Sequence, residues 1–370
     1  MSTQLLKLLK ILTLSLFVAL LSASLSASHG LCAGTDKPLK VAFVMVGPVN
    51  DFGYNYSHNL GRLYLQSHLP NVQTTFAEKI PENAEVERVM EKMIAAGNRL
   101  LFSTSFGYLE PAERVAKRHP EVVIMQTWRP GQPKNMGCYV ACQYEPLYAV
   151  GVAAGKMTRK NNIGIVVAHP VPVLVQYVNA FTLGARSVNP KVKVHVVWTN
   201  SWSDPPTEAE ATKGLIDSGV DIVGSFGDSS VTVAKTAEKN HVMVFATQAD
   251  LKEFAPNYWL TGSRWNWDKA YYDITKEVQE QTWKPNTLWL GMKDGAVELS
   301  SIGKLVPKDV EKQTLATAEQ IRRGQKVVFK GPLKDREGRQ RLSPGQVCDQ
   351  KMLSQMDWFV EGVEGALPKK

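Results

Sequence analysis

The chain has 370 residues, of which 44% are hydrophobic, and 43 lysines and arginines set against 35 aspartates and glutamates give it a formal net charge of +8 at pH 7. That length exceeds what one hydrophobic core usually serves, so two lobes are expected. The positive charge is spread along the chain, and its longest cluster beyond the N-terminus, Arg322–Lys326, is short and lacks interleaved aromatics, which argues against a nucleic-acid groove.

Residues 1–33 read as a signal peptide: Lys7 and Lys10 precede an apolar run from Ile11 to Leu21, followed by small or polar residues over Ser22–Ser28. The run is too short to span a bilayer, and no later stretch is long and apolar enough to do so. A soluble mature protein of roughly 335 residues, exported to the periplasm, is the expectation. Ser24 with Ser26, or Ser26 with Ser28, could be the small residues a signal peptidase reads. A lipid anchor on Cys32 would require a small residue before it, and Leu31 is not small, so a lipoprotein is not expected.

From Lys40 onward short apolar runs alternate with helical patterns. Strands are expected at Lys40–Val46, Thr74–Phe76, Arg99–Ser103, Val122–Gln126, Met136–Val140, Asn162–Val167, Lys193–Trp198, Ile222–Gly224, Met243–Ala246 and Trp259–Gly262. Helical stretches lie at Ala84–Ala96, Glu110–Lys117, Pro146–Arg159, Val175–Val188, Pro206–Asp217, Ser230–Lys239 and Asp268–Glu280. The strands are continuous apolar runs, the pattern of parallel strands covered on both faces. A second series opening at Asn162 repeats the organisation of the first, which suggests two similar α/β lobes joined by several short crossings. Where such lobes meet, the carboxyl ends of the strands converge on a ligand.

Four cysteines, Cys32, Cys138, Cys142 and Cys348, are few for an exported chain. Cys138 and Cys142 could pair if a turn brought them together, whereas one extended strand through both would forbid it. Cys348 is either free or paired with Cys32. No cysteine and histidine spacing suits zinc, so no metal and no cofactor are expected. A G-x-S-x-G elbow and a phosphate-binding glycine-lysine loop are both missing from the sequence, which argues against an enzyme.

Residues at the strand ends suit a flat, polar-edged ligand. After the first strand stand Asn50, Asp51, Phe52, Tyr54 and Tyr56, with Gly53 allowing close backbone approach. Asp51 either caps the next helix or meets the ligand, and Phe52 could equally be core. Ser103, Ser105 and Phe106 follow the third strand, and Trp128 follows the next. The second lobe offers His169, Trp202, Asp228, Ser229, Gln248 and Asp250; Trp202 either stacks on a ring or packs between loops. Trp265 and Trp267 alternate by two on an extended segment, and Trp265 is favoured for contact.

Several segments together resemble the basic membrane protein, or PnrA-like, family of substrate-binding proteins of ABC transporters. They are VGPVNDFGYNYSHNLG (46–61), YEPLYAVGVAAGKMT (144–158), IGIVVAHPVP (163–172), NAFTLGARSVNP (179–190), DSGVDIV (217–223), WLTGSRWNWDKAY (259–271) and GMKDGAVELSSI (291–302). The resemblance implies a two-lobed periplasmic binding protein of type I, each lobe a parallel sheet flanked by helices, with the ligand cleft between them. It places an N-terminal lobe at 38–161 plus 263–287 and a C-terminal lobe at 162–262 plus 288–360. It further implies capture of a purine-like solute, Asp250 as a polar ligand contact, hinge closure, and delivery by a monomer to a membrane permease. IGIVVAHPVP and SFGDSS depart from the family's glycine-rich turns, which favours a free base such as adenine over a nucleoside. Other readings are a receptor for a different planar solute and a periplasmic protein that signals to a membrane sensor.

Overall fold

Strands buried on both faces account for the continuous apolar runs, and the computed structural model, which describes residues 37–368, arranges them into two parallel sheets. The expected export leader, its expected cleavage point and Cys32 lie outside the described residues.

The first part of the chain forms β1 (Leu39–Val44), α1 (Tyr54–His68), β2 (Val72–Ala77), α2 (Glu85–Ala95), β3 (Leu100–Ser103), α3 (Leu109–Arg118), β4 (Val123–Thr127) and β5 (Met136–Ala141). The middle forms α4 (Tyr144–Met157), β6 (Asn162–Val167), α5 (Pro172–Val188), β7 (Lys193–Trp198), α6 (Pro205–Asp217), β8 (Ile222–Phe226), α7 (Val231–Lys239), β9 (Met243–Ala246) and β10 (Trp259–Trp265). There follow α8 (Asp268–Gln279), β11 (Thr287–Leu290), β12 (Val297–Leu299), α9 (Lys308–Arg322), the hairpin β13 (Leu333–Lys334) and β14 (Gln340–Leu342), α10 (Gln350–Ser354) and β15 (Val363–Glu364).

The first sheet has the order β11-β5-β4-β3-β1-β2, with every pairing parallel. The second has the order β12-β10-β9-β8-β6-β7-β15 and is parallel except where β12 runs antiparallel to β10. Helices cover both faces of each sheet. Val86, Met90 and Val115 of α2 and α3 pack on Val44 and Leu101, while Leu65 and Tyr271 of α1 and α8 belong to the core on the other face. On the second sheet α6 and α7 cover one face, with Leu215 and Val233 against Val166 and Val244, and α4 and α5 cover the other. The α4–α5 contact is close enough that a Cβ at Gly184 would lie 1.9 Å from the Tyr148 carbonyl oxygen, so glycine is required there.

Two elements sit differently from the expected lobe ranges. Helix α4, inside 38–161, packs against α5, α9 and β10 of the second lobe, because its small-residue face matches α5. Strand β11, mostly inside 288–360, pairs with β5 in the first sheet. The chain therefore crosses between lobes after β5, after β10 and after β11.

The tail beyond α9 lies along the second lobe. The Asn179 side chain donates to the Trp358 carbonyl at 2.8 Å and accepts from the Val360 amide at 3.0 Å, and β15 pairs with the edge strand β7. Cys138 lies in β5 and Cys142 just past its end; both are free and buried, as is Cys348, so the extended arrangement that forbids a 138–142 bridge is the one found.

Candidate solute-binding cleft

The loops at the carboxyl ends of the two sheets face each other and enclose a narrow cavity of about 30 Å³, smaller than the small-molecule sites of about 300–1,000 Å³ that are usual. The walls are mainly aromatic. Tyr54, Phe106 and Trp128 come from the first lobe, Tyr177, Trp202 and Phe226 from the second, and Trp265 from the end of β10, where the chain begins to cross. Val46, Val173 and Leu174 fill the gaps. Trp265 packs against Tyr54 at 5.1 Å and Trp128 at 5.8 Å between ring centroids, and the Trp128 indole N–H donates to the Tyr54 hydroxyl at 3.2 Å. Behind them His58 stacks on Trp267 at 5.1 Å, and burial lowers its pKa to about 3, so it is a neutral packing group.

Some polar groups on this wall have no partner among the described residues. The Tyr177 hydroxyl, the Trp265 Nε1 and the Gln248 Oε1 are buried and unpaired among the described residues. Asp228 is 5% exposed, and its carboxyl makes no hydrogen bond among the described residues. Burial pushes that carboxyl well above the usual carboxylate range, and Asp51, Glu82 and Glu208 add to the shift. Among the described residues, no lysine or arginine lines the cavity. Trp128 and Gln248 hold left-handed backbone angles, φ 68° and 70°, which cost non-glycine residues energy and cluster at functional positions.

Direct bonds join the lobes around this space. The Tyr54 amide donates to the Asp228 carbonyl at 2.9 Å, the Ser57 hydroxyl to the Gln248 carbonyl at 2.7 Å, and the Ser229 hydroxyl to the Asp51 carbonyl at 3.0 Å. Glu82 ties the walls together as well. One of its carboxylate oxygens accepts from the Ser105 hydroxyl and the Gly107 amide, and the other accepts from the Trp202 indole at 3.1 Å across the cleft. The lobes are in a closed arrangement.

The structure distributes the sequence candidates unevenly. Tyr54, Ser105, Phe106, Trp128, Trp202, Asp228, Gln248 and Trp265 all face the cavity. Asp51 lines an adjoining groove with His169, and its carboxylate caps α1, accepting from the Gly53, Asn55 and Tyr56 amides at 2.9 Å each and from the Asn55 side chain at 2.8 Å. Asp250 does not reach the cavity: it is exposed and holds the Lys252 amide at 3.1 Å and the Ser301 amide at 2.8 Å, a loop-bracing role. Phe52 stacks with Tyr56 and meets Phe254 of the second lobe at the outer rim, so both aromatics lie outside the pocket. Asn50 is exposed, Ser229 bridges to Asp51, and Ser103 is buried behind the wall. Sequence reasoning missed Tyr177, which looks like one more core position on α5, and Glu82, whose partners are distant in the chain; no local signal marks either.

Fold and cleft together define a two-lobed solute-binding protein. The chain belongs to the Bmp family, ABC transporter substrate-binding protein PnrA-like, whose model matches residues 39–332. It is 39% identical to a purine-binding protein of Brucella abortus over 92% of this chain and 97% of that one. It is 32% identical to a putative ABC transporter glucose-binding protein of Haloferax volcanii over 89% of this chain and 81% of the relative. A solved ABC transporter solute-binding protein from Aeropyrum pernix shares the fold, with a TM-score of 0.69 at 18% identity over 78% of this chain and 92% of that one. The family is one of solute-binding proteins, not of enzymes, and its members partner a membrane transporter.

Proposed function

We propose that the protein captures a purine in this cavity, the free base in preference to the nucleoside, and acts in the periplasm as a monomer that delivers it to the permease of an ABC importer. The observation that carries this is the combination of aromatic walls with four unpartnered polar groups and no cationic side chain. Aromatic faces retain a flat heterocycle, and a few fixed donors and acceptors read its edge. The absence of lysine and arginine from the walls disfavours phosphorylated or carboxylated ligands. The purine-binding relative points the same way. A glucose ligand, suggested by the second relative's name, would bring a hydroxyl on nearly every carbon, and this wall offers few partners for them.

The test is native mass spectrometry of protein purified without added ligand, followed by calorimetric titration with adenine, adenosine, guanosine, uracil and glucose. Tight binding of a purine is expected; heat with glucose alone, or with none of the five, overturns the reading. Co-purification with a sensor kinase instead of a permease would replace transport by signalling.

A further inference from the structure

We propose that Asp228 meets the ligand as a neutral acid, one oxygen donating and the other accepting, so that the cavity selects a base edge with a ring acceptor beside an amino donor, as in 6-aminopurine. This inference rests on the purine reading above and specifies its chemistry. It begins from placement. Asp228 follows β8 at the cleft, its backbone is fixed by the Trp202 carbonyl at 2.9 Å and the Tyr54 amide, and its carboxyl lines the cavity without a protein partner. The ionisable groups around it are Asp51 from the loop before α1, Glu82 from the loop before α2, and Glu208 from α6, with Tyr54 and Tyr108 from the first lobe. His169, from the loop after β6, shares the adjoining groove, and burial lowers its pKa, which disfavours its charged form. Among the described residues, three carboxyl groups surround a fourth carboxyl that is itself buried, and no lysine or arginine lines the cavity beside it.

A carboxylate in that setting has little solvent and no counter-ion on the cavity wall to stabilise it, and an uncharged planar ligand supplies none. Closing the lobes around such a ligand therefore draws a proton from solvent onto Asp228. Protonated, the group presents one O–H donor and one carbonyl acceptor side by side. That pair complements an N–C–NH2 edge, donating to the ring nitrogen and accepting from the amino group. A carboxylate would instead favour an edge with two adjacent donors.

The experiment is calorimetric titration of the full protein with adenine from about pH 5.5 to about pH 8.5, using wild type, Asp228→Asn and Asp228→Ala. Because binding takes up a proton, wild-type affinity should fall as pH rises, approaching about tenfold per pH unit. Asparagine keeps one donor and one acceptor without charge, so Asp228→Asn should bind adenine with little pH dependence and within several-fold of wild type at the acid end. Asp228→Ala should lose binding by tenfold or more throughout. A flat or rising wild-type profile overturns the proposal, and so does an Asp228→Asn loss equal to that of Asp228→Ala. The wild-type profile depends on no variant folding. Absence of heat with adenine and with every other purine at all pH values overturns the purine reading itself, whereas adenine binding with the wrong profile overturns only the neutral-acid inference.

Discussion

Gly53→Ala separates closure from folding. A Cβ at this position would lie 1.9 Å from the Asp228 carbonyl oxygen and 3.0 Å from its carbon, so the facing loops must part by about 1 Å or more. That separation takes the Tyr54 amide out of reach of Asp228 and strains the neighbouring Ser57–Gln248 and Ser229–Asp51 bonds. Hydrogen bonds of this kind are worth about 0.5–1.5 kcal/mol each, so losing three removes about 1.5–4.5 kcal/mol from the closed state. Affinity for the bound solute should fall between about tenfold and about a thousandfold. The clash lies across the cleft and the α1 cap on Asp51 remains, so the thermal midpoint without ligand should change little. Calorimetry would measure the affinity, and small-angle scattering with and without ligand would measure closure. An affinity within twofold of wild type, with normal compaction on binding, would refute the assignment of this contact to closure.

Trp265→Ala should weaken binding by about 1–3 kcal/mol if the indole stacks on the ligand, read by titration calorimetry, while Phe52→Ala at the outer rim should change it far less. Asp250→Ala should leave affinity within twofold, because that carboxylate braces residues 252 and 301 instead of facing the cavity; a tenfold loss would return it to the site. Glu208→Gln should stabilise the protein by about 1–3 kcal/mol at about pH 8 and by almost nothing at about pH 4. Burial raises this carboxyl from 4.5 to about 7, so in wild type the unfolded chain ionises first and stability declines as pH rises through that window. Urea unfolding at the two pH values checks it, and equal effects at both would sink the assignment.

The fold was legible because its signals are local. Buried parallel strands such as Leu100–Ser103 and Ile222–Phe226 read as short, mostly apolar runs, and amphipathic helices such as Glu85–Ala95 show their period in a dozen residues. Strand β12 and the tail strands are too short to carry such a pattern. The crossing after β5 was hidden for a different reason: α4 is apolar on nearly all sides, so nothing in its composition says which lobe it joins. Within the cleft, strand-end position picked out Trp128, Asp228 and Gln248, since loops after parallel strands converge. The same rule selected Asp250, two residues too far along, because a strand end does not reveal where a turn redirects the chain. At that turn Gln248 takes the left-handed conformation, and Asp250 is carried away toward Ser301.

That turn also links contact to closure. The Gln248 carbonyl accepts from the Ser57 hydroxyl of the first lobe and from the Trp265 amide of the crossing segment, while its side-chain oxygen stays unpaired at the cavity. A left-handed residue costs about 1–3 kcal/mol unless its surroundings hold it there, and here one holding partner belongs to the opposite lobe. Opening the cleft removes the Ser57 bond and leaves the conformation less supported. A ligand that engages the Gln248 amide restrains the same residue from the other side, so it binds the closed form better than the open one. Differential affinity of that kind is what a solute needs in order to shift the lobes toward closure.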